Sequence, residues 1–376
     1  MRIALALLLA VHGLIHLMGF VSTFGLARVP QMTGRTLITL PGALTRSIGL
    51  LWLLACFVLL GAAVLLLLGS GRWWQVAAPG VLLSQLLVLY AWPEAKAGTV
   101  ANVLLAVAIV LARADAHFQR EGDEAVRSLF ARVPTSPASP VTAGELAPLP
   151  MPVRRWLETS GVVGRPRVRT ARLLQRGGLR TAPDQPFMPA EARQYFTLDE
   201  PGFVWRVRVH MMRVLPLVGR DAYLDGRGRM RISAASLVPV VDASGPEIDQ
   251  GTLLRFLGEL VWIPSAALSP YIHWEPIDDT HARATMSWRG VSASGVFTFD
   301  AKGRFLQMSA QRYMGGGPSP KLETWVVPAR EWREVHGYVI PTRGDVVWKL
   351  ASGDFHAYAW EILDVEYDRA ELYPPG

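Results

Sequence analysis

The sequence predicts a chain in two parts. An N-terminal all-α region of four transmembrane helices is followed by a C-terminal mainly-β domain, a curved antiparallel sheet or open barrel with one internal helix. Three observations carry this. Apolar runs at about 3–24, 47–68, 74–92 and 98–114 each approach the ~20 residues that cross a ~30 Å hydrocarbon layer. Residues 133–152, VPTSPASPVTAGELAPLPMP, have the composition of a semi-rigid linker. Beyond about residue 165 the apolar pattern switches to period two, broken by a single stretch of helical period. The expected division is therefore 1–118 for the membrane helices, 119–152 for the linker and 153–376 for the β-rich domain.

The first run has one basic residue before it, Arg2, and lacks a small-x-small cleavage site. With more spans behind it, it reads as a retained helix and not a signal peptide. Trp73, Trp74, Tyr90 and Trp92 flank the third run as interface aromatics do, and Pro79 near its start should kink it mildly. Within the first run, HGLIHLMGF sets His12 and His16 on one helix face. Polar groups in a bilayer are costly and usually partnered. One helix cannot give both axial ligands to one haem, and joint metal ligation needs carboxylates or further histidines that the spans lack. The pair reads as an interhelical hydrogen-bonding seam beside Gly13 and Gly19, with Ser84, Gln85 and Asn102 as candidate partners.

Charge is divided unevenly. Residues 1–120 hold eight Lys/Arg and two Asp/Glu, whereas the remainder holds 30 and 29. The pI near 9.8 thus comes from the membrane half, which argues against a nucleic-acid partner. With the N-terminus inside, six arginines fall on inside segments and four basic residues outside, favouring both termini in the cytoplasm of a bacterial inner membrane. The single cysteine, Cys56, excludes a disulfide framework and a Cys/His zinc pattern.

In the second part, VRRWLETSG reads as a short helix ending at Gly161. ARQYFTL and GFVWRVRVHMM alternate as strands around a DEPG turn, and RDAYL and RMRIS flank DGRG as a hairpin. EIDQGTLLRFLGELVWI, about 247–263, sets Leu253, Phe256, Leu257 and Leu260 on one stripe, and Pro264 stops it. HARATMSW, SASGVFTFD, GRFLQMSAQRY, KLETWVV, RGDVVWKL and FHAYAWEIL complete roughly ten strands around this one helix.

Polar side chains in phase with apolar strand faces are the candidate functional groups, because a charge there must be paired or lie near a wet cavity. Arg312 follows Leu306, Met308 and Ala310, Glu323 is in phase with Trp325, and His356 with Tyr358, Trp360 and Ile362. Arg312 and Glu323 lie on successive strands and form either a structural ion pair or, through Arg312, a contact to an anionic head group. Trp262, Trp274, Trp288, Trp325, Trp348 and Trp360 would suit an apolar cavity with polar edges. Arg255 and Glu259 read first as a surface i,i+4 pair, with a cavity-lining role as the alternative. In HWEPIDDTH, 273–281, His273 and Glu275 read as strand residues and DDT as a polar hairpin turn, in preference to a metal site. The Gly-rich MGGGPSP, 314–320, lacks the lysine spacing and following helix of a phosphate cradle. No GxSxG or HExxH is present, and no motif calls for a cofactor.

The stretch 258–305 resembles a bacterial family catalogued only as a domain of unknown function. Gly258-Glu259, Trp262-x-Pro264, Trp274, Ile277-Asp278, Gly295-x-Phe297-x-Phe299 and Gly303 carry the resemblance, which extends over most of 145–367. In architecture the β-rich half is also similar to the lipoprotein-carrier fold, an unclosed barrel around a helix that holds acyl chains. That likeness implies a concave apolar site. The expected function is a membrane-tethered binding module for a lipid or another apolar small molecule, with Arg312, Glu323, His356, Trp262, Trp274 and Trp325 at the ligand and membrane lipids as partners. The alternatives are an enzyme on a membrane-derived substrate, using His356 and Glu323 as acid and base within hydrogen-bond reach, or a packed interaction domain without a cavity.

Overall fold

The computed structural model describes residues 2–134, 136, 138–211, 215–314 and 321–374. The chain forms two compact units, Met1–Phe118 and Gln119–Gly376. The first contains helices α1 (Arg2–Thr23), α2 (Gly42–Leu67), α3 (Trp73–Tyr90), the short α4 (Trp92–Ala95) and the beginning of α5 (Gly98–Phe130). α1, α2, α3 and α5 are long and apolar enough to cross a membrane. α1 exposes Ile3, Leu7, Val11 and Leu14 along one stripe, the face a hydrocarbon layer would cover. Its other face meets α2, where a Cβ on Gly19 would sit 2.4 Å from the Trp52 ring; only a glycine lets that indole in.

The histidine seam forms between α1, α3 and α5. His12 Nε2 lies 2.8 Å from Asn102 Oδ1, a carbonyl oxygen, so Nε2 carries the proton and donates. His16 Nδ1 donates to the His12 carbonyl at 2.8 Å, which leaves its Nε2 to accept from Ser84 Oγ at 2.9 Å. Asn102 Nδ2 passes on to Gln85 Oε1 at 3.0 Å. The partners are those the sequence offered, and both imidazoles are buried.

In the second unit, residues 119–130 are the last turns of α5, although composition marks 119 as the start of a linker. The reason is packing: Val126 and Leu129 are buried against Tyr195 and Val204, and Asp123 pairs with Arg206. Helices α6 (Ala143–Leu146) and α7 (Met151–Thr159) follow. Then come β1 (Thr170–Leu179), β2 (Met188–Thr197), β3 (Gly202–Met211), β4 (Leu215–Leu224), β5 (Arg227–Ala234) and β6 (Val238–Ser244). Helix α8 (Pro246–Glu259) runs into 3-10 turns at Leu260–Trp262 and Pro264–Leu268. The chain ends in β7 (Ile272–Pro276), β8 (His281–Trp288), β9 (Val291–Phe299), β10 (Phe305–Met314), β11 (Lys321–Val335), β12 (Tyr338–Leu350) and β13 (Gly353–Tyr367).

All thirteen strands join one antiparallel sheet in the order β6-β5-β4-β3-β2-β1-β13-β12-β11-β10-β9-β8-β7. Each wing is a meander, and the β1–β13 pairing splices the two. The terminal strands β6 and β7 do not pair, so the sheet is curved but unclosed. α8 spans the gap between them in sequence and packs against β4, β5 and β6 of one wing and β8, β9 and β10 of the other. The sheet therefore wraps around it. That explains why α8 is buried nearly all round: Leu253, Leu254, Phe256 and Leu257 are fully enclosed, and Gly251 and Gly258 face neighbours too. The DGRG hairpin forms with a two-residue loop, Asp225 and Gly226 both at positive φ.

Two strands beyond the expected set have identifiable reasons for being hard to read. β1 contains Gly177 and Gly178, where alternation fades. A Cβ on Gly177 would lie 2.1 Å from the Ala359 carbonyl, so close backbone approach at the splice demands glycine there. β6 is an edge strand carrying Pro239 and is largely exposed, so burial imposes no period on it.

Candidate functional site

A cavity of about 170 Å³ lies between the C-terminal half of α8 and the middle of the sheet. One water needs roughly 10–15 Å³ on the same scale, so the space is an order of magnitude larger. Strands β1, β3 and β10 to β13 supply its walls, and α8 with the turn after it supplies one side. Aromatic rings dominate: Trp205, Trp262, Trp325, Tyr358 and Trp360 all line it, with Val327 and Val346 between them. Trp262 meets Trp360 edge to face at 5.3 Å between ring centres.

A charged cluster closes one part of the wall. Arg255 sits between two carboxylates, donating from Nη1 to Asp221 Oδ2 at 2.7 Å and from Nε to Glu259 Oε1 at 2.8 Å. Gln194 donates to Glu259 Oε2 at 2.6 Å, Gln175 donates to Gln194 at 3.0 Å, and the Trp205 indole donates to Gln175 Oε1 at 3.0 Å. The Arg255 guanidinium also lies 4.5 Å from the Trp205 ring centre. Burial alone would lower the Arg255 pKa, but Glu259 and Asp221 outweigh it and hold it above its ordinary value. Burial pushes Glu259 up, because one guanidinium is shared between two carboxylates. The i,i+4 pair expected from sequence exists, but it is interior: the Arg255 and Glu259 side chains are only 15% and 13% exposed.

Arg312 occupies another part of the wall. Its guanidinium lies over Trp325 at 4.8 Å and Trp348 at 5.8 Å. Burial lowers its pKa to about 10, so it stays charged at neutral pH. The side chain as a whole is half-buried, because part of its head opens on the cavity. Glu323 is directly across from it in the β10–β11 register. Among the described residues, however, Arg312 makes no ion pair or hydrogen bond, and its Nε is buried without a partner. The guanidinium has turned onto the tryptophan faces.

Of the residues singled out in the sequence, Arg312, Trp262, Trp325, Trp360, Arg255 and Glu259 line the cavity; Glu323, His356, Trp274, Trp288 and Trp348 do not. Trp274 packs in the core against Phe297 and donates to the Ala267 carbonyl at 3.0 Å. His356 leaves the inner face because of a bulge. Val346 pairs with Tyr358 but Val347 pairs with His356, so the phase of β13 flips. Phe355, opposite Trp348, takes the inner position instead. No hydrogen bond joins His356 to Glu323 among the described residues. Of the 273–281 segment, residues 273–276 belong to β7 and the residues up to β8 form a polar turn: Asp278 Oδ1 accepts the backbone N–H groups of Thr280 and His281 at 2.8 Å each. The Gly-rich loop lies, apart from Met314, outside the described residues. Sequence reasoning missed Gln175, Gln194, Trp205 and Asp221, which reach the site from strands far apart in the chain.

Residues 139–360 match the model of a family of unknown function, DUF6544, and the chain belongs to that family. No curated protein matches the chain. Three solved structures resemble it in strand-rich architecture. A domain from Vibrio parahaemolyticus assigned to outer membrane lipoprotein sorting has a TM-score of 0.33 at 10% identity, covering 53% of this chain and 86% of that one. A DUF1329 family protein from Desulfovibrio piger has a TM-score of 0.34 at 11% identity, covering 61% and 94%. A β-barrel-like DUF1849 protein from Brucella abortus has a TM-score of 0.24 at 8% identity, covering 54% and 98%. The likeness is loose and lends nothing to the reading of the cavity.

Proposed function

We propose that the β-rich unit is a binding module for an apolar molecule, a lipid above all, tethered by the N-terminal helices to a bacterial inner membrane with both termini on the cytoplasmic side. The observation that carries this is the aromatic-walled cavity of about 170 Å³ under α8. A space of this size walled mainly by aromatic and aliphatic side chains has room and chemistry for an apolar occupant. Concave, mainly apolar sites with a few placed polar groups are the general form of small-molecule sites. A filled interaction domain would have no such space.

The test is a fluorescence titration of the full chain in amphipol with N-phenyl-1-naphthylamine, a neutral apolar probe that brightens when it leaves water. Saturable brightening that is lost in Val346→Trp, which fills the cavity from β12, supports the reading. Equal brightening in the variant, with its fold intact by circular dichroism, refutes it.

A further inference from the structure

The polar atoms on the cavity wall divide unevenly between donors and acceptors. The carboxylate and amide acceptors on the wall are already engaged. Glu259 takes bonds from Arg255 and Gln194 on its two oxygens, and Gln175 Oε1 takes one from Trp205. Of the lining side chains, four have a buried polar atom without a partner among the described residues: Arg312 Nε, Trp262 Nε1, Trp325 Nε1 and Tyr358 Oη. Three are N–H donors that cannot accept, and the fourth is a phenol that can donate or accept. Trp262 and Trp325 are themselves 5% and 3% exposed, so bulk water does not satisfy them. Leaving buried donors unpaired is costly, and a guanidinium held at an apolar wall without an ion pair adds to that cost. The complement of such a wall is an acceptor with negative charge.

We propose that the cavity selects an amphiphile with an anionic oxygen head, a carboxylate or a phosphate, with Arg312 as counter-ion and the Trp325 indole beside it as a second donor. This rests on the apolar-ligand reading above and adds the head-group chemistry to it. Arg255 is held by Asp221 and Glu259; these carboxylates act on Arg312 through space, but neither forms an ion pair with it among the described residues. Among the described residues the Tyr358 hydroxyl is the one unpartnered side-chain group of the lining that can accept, so the unpartnered groups favour an acceptor head. Burial leaves the Arg312 guanidinium protonated at neutral pH.

The experiment is native mass spectrometry of the full chain, delipidated in dodecyl maltoside and offered palmitate, hexadecyl phosphate and methyl palmitate separately. The three share one chain and differ in the head. A charge-assisted hydrogen bond is strong enough for a preference of about tenfold or more. Retention of palmitate or hexadecyl phosphate over methyl palmitate by that factor is expected, and the better of the two names the source of the anion. Arg312→Met should abolish the preference, keep methyl palmitate bound, and melt no lower than the parent chain, since the arginine has no ion pair to lose. Equal retention of charged and neutral ligands, or a preference that survives Arg312→Met, overturns the head-group assignment and leaves the apolar reading standing. Retention of none of the three overturns the apolar reading itself, and this assignment with it.

Discussion

Arg255→Met should be among the most damaging single substitutions in the β-rich unit. The guanidinium is the shared counter-ion of Asp221 and Glu259, held by bonds of 2.7 and 2.8 Å. Removing it leaves two carboxylates in a site whose side chains are no more than 15% exposed. Breaking a buried pair by deleting one partner costs about 3–5 kcal/mol. In a unit of this size each kcal/mol moves the melting temperature by about 2–4 °C, so a fall of roughly 6–20 °C is expected. The pH dependence follows from Glu259, whose folded pKa burial raises above the ordinary carboxylate value. A carboxyl raised in the folded state binds its proton more tightly there than in the unfolded chain. Stability is therefore lost as pH climbs from the ordinary carboxylate range through the raised folded value. Without Arg255 the Glu259 carboxyl rises further, so the deficit of the variant should be full near neutral pH and should shrink on acidification. Differential scanning fluorimetry on the intrinsic tryptophans reads this directly. Adding Asp221→Asn and Glu259→Gln should restore much of the loss. A single variant that melts within about 2 °C of the parent, less than 1 kcal/mol, would show that the cluster is not the buried charge lock described here.

Gly177→Ala should weaken the β1–β13 splice, because its Cβ would lie 2.1 Å from a backbone carbonyl that cannot swing away; overpacking of this kind costs about 1–3 kcal/mol, visible as a lower melting temperature. In the membrane unit, Ser84→Ala removes the partner of His16 Nε2, and a loss of about 1 kcal/mol in helix-bundle stability is expected from denaturant titration in mixed micelles. On the proposed orientation, with the C-terminus in the cytoplasm, alkaline phosphatase fused after the last residue should be inactive in a bacterial host; an active fusion would reverse that orientation.

Much of the architecture was legible because it rests on periodicity. Four apolar runs, ten alternating segments and a helix with Leu253, Phe256, Leu257 and Leu260 on one stripe follow directly from where water must be excluded. β1 and β6 escaped because a glycine pair and an exposed edge carry no alternation. The candidate site was less legible. Arg312, Trp262 and Trp325 could be found by asking which side chains fall on an apolar face. His356 could not be placed, because a single bulged residue between Tyr358 and His356 reverses the face. The Arg255–Glu259 spacing was visible, but its burial depends on the sheet closing around α8, and nothing local reports that. Gln175, Gln194 and Asp221 are ordinary polar strand residues until the β1–β2 and β3–β4 pairings bring them to the same helix.

The most direct test of the central claim is native mass spectrometry of the full chain extracted from its own membrane, without delipidation. One bound apolar molecule per chain, identified by fragmentation and absent from Val346→Trp and Val327→Trp, is the expected result. A clean mass for the parent chain, or the same adduct undiminished in both cavity-filling variants, would mean that the space under α8 does not hold the ligand.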